Sequence, residues 1–445
     1  MTRFCLSMAL SSKHYYLRFF GFFSISSSTI KRRNIVSGAI GNTLEWYDFA
    51  VYGTMAPIIG KLFFPDNDPF TSLLAAFAVF AIGYIARPLG GILLGHMADK
   101  IGRKPALIFS VAMMGIGTTA IGLLPTHSEI GTSAAILLVL LRILQGLSVG
   151  GEYPSSIVFL AEHSSDDRRA FNTSWPMFGS VLGFLLGSSL CSLFSNILGS
   201  AEFQEWGWRL PFLFGSVIAI CAMLFRRHMT EPSYFSDAKP LTNLPFIVAF
   251  RDHWRAILQI ICLSLVNAVG FYLLWVYAIS YLTEQMHVST TDALDINTLS
   301  LIIMLPIITF SAILSDRIGR KPLLYFVAIG SLIFAWPLWW MMHHQSFALI
   351  LAGQVGFSVL FGVGYSGLSA VMVEILPTAV RCSASGIGYN LCLGIFGGTT
   401  PLVATYLVER TSDDFSPVYY LMVAAAVSLV VTFFIKETAG KPLPQ

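Results

Sequence analysis

The sequence predicts an all-α membrane protein with twelve transmembrane helices arranged in two six-helix, pseudo-symmetric halves. Three observations predict it. The 445-residue chain is 55% hydrophobic and only 11% charged, with a mean hydropathy of +0.70, whereas soluble chains carry about 25% charged residues. Apolar runs long enough to cross a bilayer at roughly 1.5 Å per residue alternate with short polar loops. One loop motif occurs twice, as DKIGRKP at 99–105 and as DRIGRKP at 316–322.

Taken in order, the apolar runs place spans at about 34–62, 71–97, 104–125, 132–160, 170–197 and 208–228 in the first half (34–228), and at 253–283, 295–316, 321–342, 346–375, 383–409 and 415–435 in the second (253–435). Gly and Pro inside the runs are compatible with membrane helices. Residues 1–33 are basic and free of acids. Their apolar stretch YYLRFFGFFSI is too short to cross and holds Arg18, so a cytoplasmic extension is expected. The polar break at 229–252 reads as a linker between the halves, and 436–445 as a short tail. Of the 27 Lys and Arg residues, Lys61, Arg209 and Arg410 fall in loops on one side, Arg87 and Arg142 lie within spans, and all the rest fall on the other side. Positive charge collects in the cytoplasm, so both termini are expected there, in a multi-pass protein of the cytoplasmic (inner) membrane.

The two motif copies sit between spans two and three and between spans eight and nine. A second pair repeats too: Glu162 with Arg169 after span four, and Glu374 with Arg381 after span ten. Such duplication marks a transporter rather than a lone bundle. In the first loop Gly95 and Gly102 permit a tight turn, and Asp99 can pair with Arg103 or cap a helix N-terminus beside Lys104. The second copy supplies Asp316, Gly319, Arg320 and Lys321. These residues are expected to form a charge latch that holds one arrangement of the halves.

Several function classes are excluded. None of the six cysteines forms a C-x-x-C pair, and the nine histidines have no metal spacing. No nucleophile–base pair or phosphate loop is visible, so the chain does not read as an enzyme, and no cofactor or metal is expected. The net charge of +3 is accounted for by membrane topology, which leaves no case for nucleic acid. A monomer in the lipid bilayer is expected to suffice.

The functional signal lies inside the spans. Glu45, Asp48, Arg87, Arg142 and Glu152 all lie in the first half, and a charge at the bilayer centre costs about 2.5–3.5 kcal/mol. Glu45 and Asp48 are three residues apart and share a helix face. Depth along the helices groups Asp48 with Arg142, and Glu45 with Arg87 and Glu152. Three acids face two arginines, so one acid has no fixed cation; a carboxylate whose proton comes and goes suits a proton-coupled carrier. Asp48, Glu45 and Glu152 are therefore the proton-coupling candidates. Arg142, released by a protonated Asp48, could hold a substrate carboxylate bidentately. Arg87, beside Pro88 near the inner end, is expected to be structural. Trp46 and Tyr47 on span one, and Asn267, Tyr272 and Trp275 on span seven, could complete a site, since aromatic faces hold quaternary ammonium groups.

The motif D-x-x-G-R-K after spans two and eight is the signature of the major facilitator superfamily, which the chain resembles over about residues 31–443. More narrowly it is similar to the metabolite–proton symporters, through GNTLEWYDFAVYG (41–53), ARPLGG (86–91), RILQGLSVGGEY (142–153) and the Trp206–Pro211 segment. Within them it looks most like the proline/betaine transporters, through NAVGFYLLWVYAISYL (267–282), YYLMV (419–423) and KETAGKPL (436–443). The resemblance implies import of a small zwitterion or organic acid together with protons, by alternating access. It also supports the span-one acid and span-four arginine as a pair. Dicarboxylates, 2-oxoacids and shikimate-like acids are the alternative substrates, and a proton-driven efflux antiporter is the alternative direction. Some of these transporters end in a long coiled-coil tail that tunes osmotic response; this sequence stops at Gln445, so tail-dependent tuning is not expected.

Overall fold

The computed structural model describes residues 42–43, 45–91, 93–94, 103–150, 152–227, 245–378 and 380–444. Twelve helical rods cover them: α1 (45–63, with a turn at Met55), α2 (Pro69–Gly91), α3 (Arg103–Leu123), α4 (Thr132–Glu162), α5 (Arg169–Gly207), α6 (Arg209–Arg227), α7 (Trp254–Gln285), α8 (Thr290–Ile318), α9 (Lys321–Met342), α10 (Phe347–Glu374), α11 (Arg381–Thr411) and α12 (Ser416–Phe434). There is no strand among the described residues. The expected extension at 1–33 lies outside them. A short helix, Pro245–Asp252, occupies the end of the segment read as a linker.

Local signals explain several boundaries. Asp68 caps α2, accepting from the N–H groups of Phe70 and Thr71 at 3.2 Å each, with Pro69 at the first helical position. Ser289 caps α8 by accepting from Asp292 N–H at 3.1 Å, so this helix starts five residues earlier than hydropathy alone places it. Asp295 is thereby a helix residue. Its carboxylate accepts from Ser192, and from Asn196 Nδ2 at 3.3 Å, both on α5.

The membrane-facing surface is apolar: Phe310 is 72% and Phe434 77% exposed, while Arg142, Asn297 and Ser300 are fully buried. Within the first half α3 packs on α6 and α2 on α4; within the second α9 packs on α10 and α12, and α7 on α12. The halves meet through α5 against α8 and α2 against α11. Adding six to each helix number exchanges these two contacts, as a duplicated chain requires. Three π-helical turns interrupt the second half, at Leu273–Tyr277 and Tyr281–Gln285 in α7 and at Leu393–Gly397 in α11. Such turns leave backbone carbonyls in need of partners, and Gln354 Nε2 donates to Leu274 O at 3.0 Å.

Candidate functional site

Glu45 and Asp48 project from α1 into a small cavity inside the first half, of about 20 Å³, walled by Ser110, Met114, Ser148 and Gly215. That is room for one or two waters. Asp48 lies near Thr118 of α3, whose hydroxyl donates to Met114 O at 3.0 Å. Thr118 Oγ1 accepts from Gln145 Nε2 at 2.8 Å, and Gln145 Oε1 accepts from Arg142 Nη1 at 2.8 Å. Asp48 and Arg142 make no direct ion pair; Arg142 is turned to Gln145. The reason is local. The Arg142 guanidinium lies over Tyr52 at 4.3 Å, with Phe49 at 5.0 Å and Phe80 at 5.4 Å, and such rings hold a cation electrostatically. Its Nε and Nη2 have no hydrogen-bond partner.

Glu45 Oε1 instead accepts from Arg87 Nη2 at 2.6 Å, with both side chains buried. The Glu152 side chain lies outside what is described. Tyr47 lines the acid cavity, and its hydroxyl donates to Pro211 O at 2.6 Å.

A second cavity, of about 10 Å³, lies between the halves. Trp46 of α1 meets Asn267 and Tyr272 of α7 there, so three of the residues singled out in the sequence converge. Phe271, Tyr365 and Tyr389 complete an aromatic enclosure. Tyr365 and Tyr389 escaped sequence reading; their only signal is a tyrosine set among glycines and serines, in GVGYSG and SGIGYN. The Trp46 ring stacks on Tyr272 at 6.3 Å, and Tyr153 of α4 stacks on Tyr389 of α11 at 4.6 Å. The lining holds no charged residue. The Trp46 indole N–H, the Asn267 amide and the Ser264 hydroxyl are buried there without hydrogen-bond partners. Trp275 is not part of the enclosure. The wider π turn at Leu273–Tyr277 carries its indole toward α8, where Nε1 donates to Ser300 Oγ at 2.9 Å.

The repeated charges meet at one end. Each half's glutamate takes the other half's arginine: Arg169 Nη1 donates to Glu374 Oε1 at 2.9 Å, and Arg381 Nη1 to Glu162 Oε1 at 2.8 Å. Arg320 adds Nη2 to Glu374 at 3.0 Å and Nη1 to Asp316 at 2.9 Å. Asp316 also accepts from the N–H groups of Ala170 and Phe171, at 2.9 Å each, at the start of α5. Ion pairing and helix capping therefore coincide in one carboxylate that bridges the halves. Gly95, Asp99 and Gly102 of the first copy, and the side chains of Arg103 and Lys104, lie outside the described residues.

The tail binds this cluster. Arg169 Nη1 donates to Lys441 O at 3.1 Å and Arg381 Nη2 to Pro444 O at 2.6 Å. Glu437 accepts from the N–H groups of Arg320, Lys321, Thr438 and Ala439 at 2.9–3.1 Å. Burial opposes its charge, but these donors outweigh burial and hold its carboxyl below the ordinary range. Gly319, at φ +106°, lets the carboxylate approach: a Cβ there would sit 2.6 Å from Glu437 Oε2. Lys321 Nζ donates to Phe433 O at 3.3 Å.

Known proteins share this architecture. The family model of the Major Facilitator Superfamily matches residues 38–388 and 260–445. The chain is 36% identical over 425 residues to the proline/betaine transporter of Salmonella typhimurium, covering 93% of this chain and 85% of that one. The Escherichia coli K12 proline/betaine transporter matches at the same identity and coverage. The ectoine/proline transporter of Corynebacterium glutamicum is 34% identical over 432 residues, covering 93% and 86%. Among solved structures, the proton:xylose symporter XylE bound to 6-bromo-6-deoxy-D-glucose aligns with a TM-score of 0.75 at 18% identity, over 94% of this chain and 98% of that one. With that fold, and with sequence similarity across nearly the whole chain, the protein belongs to the major facilitator superfamily of multi-pass membrane transporters.

Proposed function

We propose that this protein is a proton-coupled symporter that imports a small zwitterion of the proline/betaine kind across a bacterial cytoplasmic membrane, by alternating access of the cavity between its halves. The observation that carries the reading is the uncharged aromatic enclosure of Trp46, Phe271, Tyr272, Tyr365 and Tyr389. A quaternary or secondary ammonium held without a carboxylate counter-ion needs such rings. The buried amide of Asn267 and indole N–H of Trp46 offer hydrogen bonds to the rest of the solute. The names of the relatives support the substrate class, and a proton symporter among the fold neighbours supports the coupling.

Asp48 is the proton site in this reading. It lines a water-sized cavity and makes no direct ion pair with Arg142, whose Nη1 donates to Gln145. A proton arriving on Asp48 changes the charge balance around Arg142 without breaking a contact ion pair. Glu45 shares the cavity and stands next in line. The charge cluster at Asp316, Glu374 and Arg169 is the latch between the halves.

The test is uptake of labelled proline and glycine betaine into proteoliposomes under an inward proton gradient, with and without uncoupler. Uncoupler-sensitive accumulation is expected. Asp48→Asn should abolish accumulation while sparing exchange of internal for external solute; full accumulation in that variant refutes the proton role. Uptake of dicarboxylates or 2-oxoacids in place of betaine would replace the substrate class and leave the fold standing.

A further inference from the structure

Arg87 is a buried cation packed against a residue that lines the cavity between the halves. Its side chain is 1% exposed. Nη2 donates to Glu45, while Nε and Nη1 have no hydrogen-bond partner. Its guanidinium lies 5.9 Å from the Trp46 ring, which lines the cavity. It lies 5.3 Å from Tyr84, whose ring is 5.1 Å from that of Tyr272.

Arg142 is placed differently. Gln145, Tyr52, Phe49 and Phe80 surround it, and none of them lines this cavity. The partner of Arg87, Glu45, faces the other cavity, beside Asp48. The Arg87–Glu45 pair therefore links a residue that lines the acid cavity to a cation packed against Trp46 of the solute cavity.

We infer that Arg87 is the residue that recognises the carboxylate of the transported solute, and that the solute competes with Glu45 for it. This assignment rests on the zwitterion reading of the aromatic cavity and adds to it. The ammonium end of the solute lies on the rings, and its carboxylate takes the donors that Arg87 leaves open. A guanidinium already matched by Glu45 holds a second carboxylate less well than one that is unmatched. Neutralising Glu45 must then tighten binding of carboxylate-bearing solutes alone. A merely structural ion pair, once broken, would loosen binding of every solute.

The experiment titrates purified full-length protein with glycine betaine and with choline, which keeps the trimethylammonium group but lacks the carboxylate, by isothermal calorimetry. Wild type is expected to prefer betaine. Glu45→Gln should raise that preference several-fold. The paired variant Glu45→Gln/Arg87→Gln, which removes both charges of the pair together, should abolish it. Arg142→Gln should keep it, whatever its affinity. A paired variant that still prefers betaine overturns the assignment, as does an unchanged preference in Glu45→Gln or a loss confined to Arg142→Gln. Should the paired variant fail to fold, the Glu45→Gln and Arg142→Gln arms decide alone. Equal binding of both probes by wild type rejects the Arg87 assignment but keeps the aromatic cavity. Binding of neither rejects the zwitterion reading itself, and this assignment with it.

Discussion

Glu374 collects Arg169 of one half and Arg320 of the other on a single buried carboxylate, with the Thr438 hydroxyl as a further donor. Removing one partner of such a cluster leaves uncompensated charge and costs about 3–5 kcal/mol. Glu374→Gln is therefore expected to lower the melting temperature of the purified protein clearly. The exposed pair of Lys61 and Glu284, at 3.0 Å, should matter little, since such pairs contribute about 0–1 kcal/mol. Lys61→Ala with a melting temperature far below wild type would contradict that ranking. Glu437 gives a pH dependence. Its folded carboxyl titrates below the ordinary value, so its contribution is complete above the ordinary carboxylate range and is lost as pH falls through the lowered one. Glu437→Gln should remove that part of the acid loss of stability, which thermal melts across the acid range would show.

At the scale of helices, close approach is bought with glycine. A Cβ on Gly146 of α4 would lie 2.0 Å from Gly83 O of α2, and one on Gly90 of α2 would lie 2.0 Å from Leu147 O of α4. The two backbones touch where Arg87 and Arg142 leave them, so this contact sets the spacing of both cations. Gly146→Ala should cost about 1–3 kcal/mol through overpacking and should impair uptake as well as stability. Unchanged uptake would show that the arginines tolerate a wider spacing. The α5–α8 contact is polar instead: Ser188 hydrogen-bonds Thr298 at 2.7 Å and accepts from Asn297 at 3.0 Å, and Ser195 bonds Thr291 at 2.9 Å. Hydroxyls and amides of this kind can exchange one another for water when helices slide, which an apolar seam cannot do at the same cost.

Across the whole molecule the halves are joined at both ends. The latch of Asp316, Glu374, Arg169 and Arg381 closes one end. The Lys61–Glu284 pair and the α5–α8 contact near the start of α8 join the other. The tail strengthens the first of these, since Lys441 O and Pro444 O accept from arginines at the starts of α5 and α11, one in each half. Deleting residues 437–444 is expected to raise amide exchange at 169–173 with little change in α8 near Ser300. No change at 169–173 would show that the side-chain pairs alone hold that end.

Much of this was legible in sequence. Burial in lipid leaves helices as the only open form for such apolar runs, so the twelve spans follow from hydropathy, and the two halves from the repeated DKIGRKP and DRIGRKP. Paired carboxylates three residues apart on α1 had to share a face, and they share a cavity. Partner choice was not legible. Glu162 and Arg169 look like a local pair, yet each reaches the other half's repeat, because contact at that end is set by how two folded bundles meet. A helix ruler groups Asp48 with Arg142 by depth, but Arg142 is turned to Gln145, which in turn donates to Thr118, and no helix ruler places side chains of α3. Trp275 is turned to Ser300 by a π turn that composition does not announce. The sequence by itself determined the membrane class, the span count, the duplication and which residues carry charge into the bilayer, since these depend on transfer energies summed along the chain. Only the tertiary structure decided which charge meets which and which rings enclose the cavity, because those depend on rotations of helices about their axes and on contacts between segments far apart in sequence.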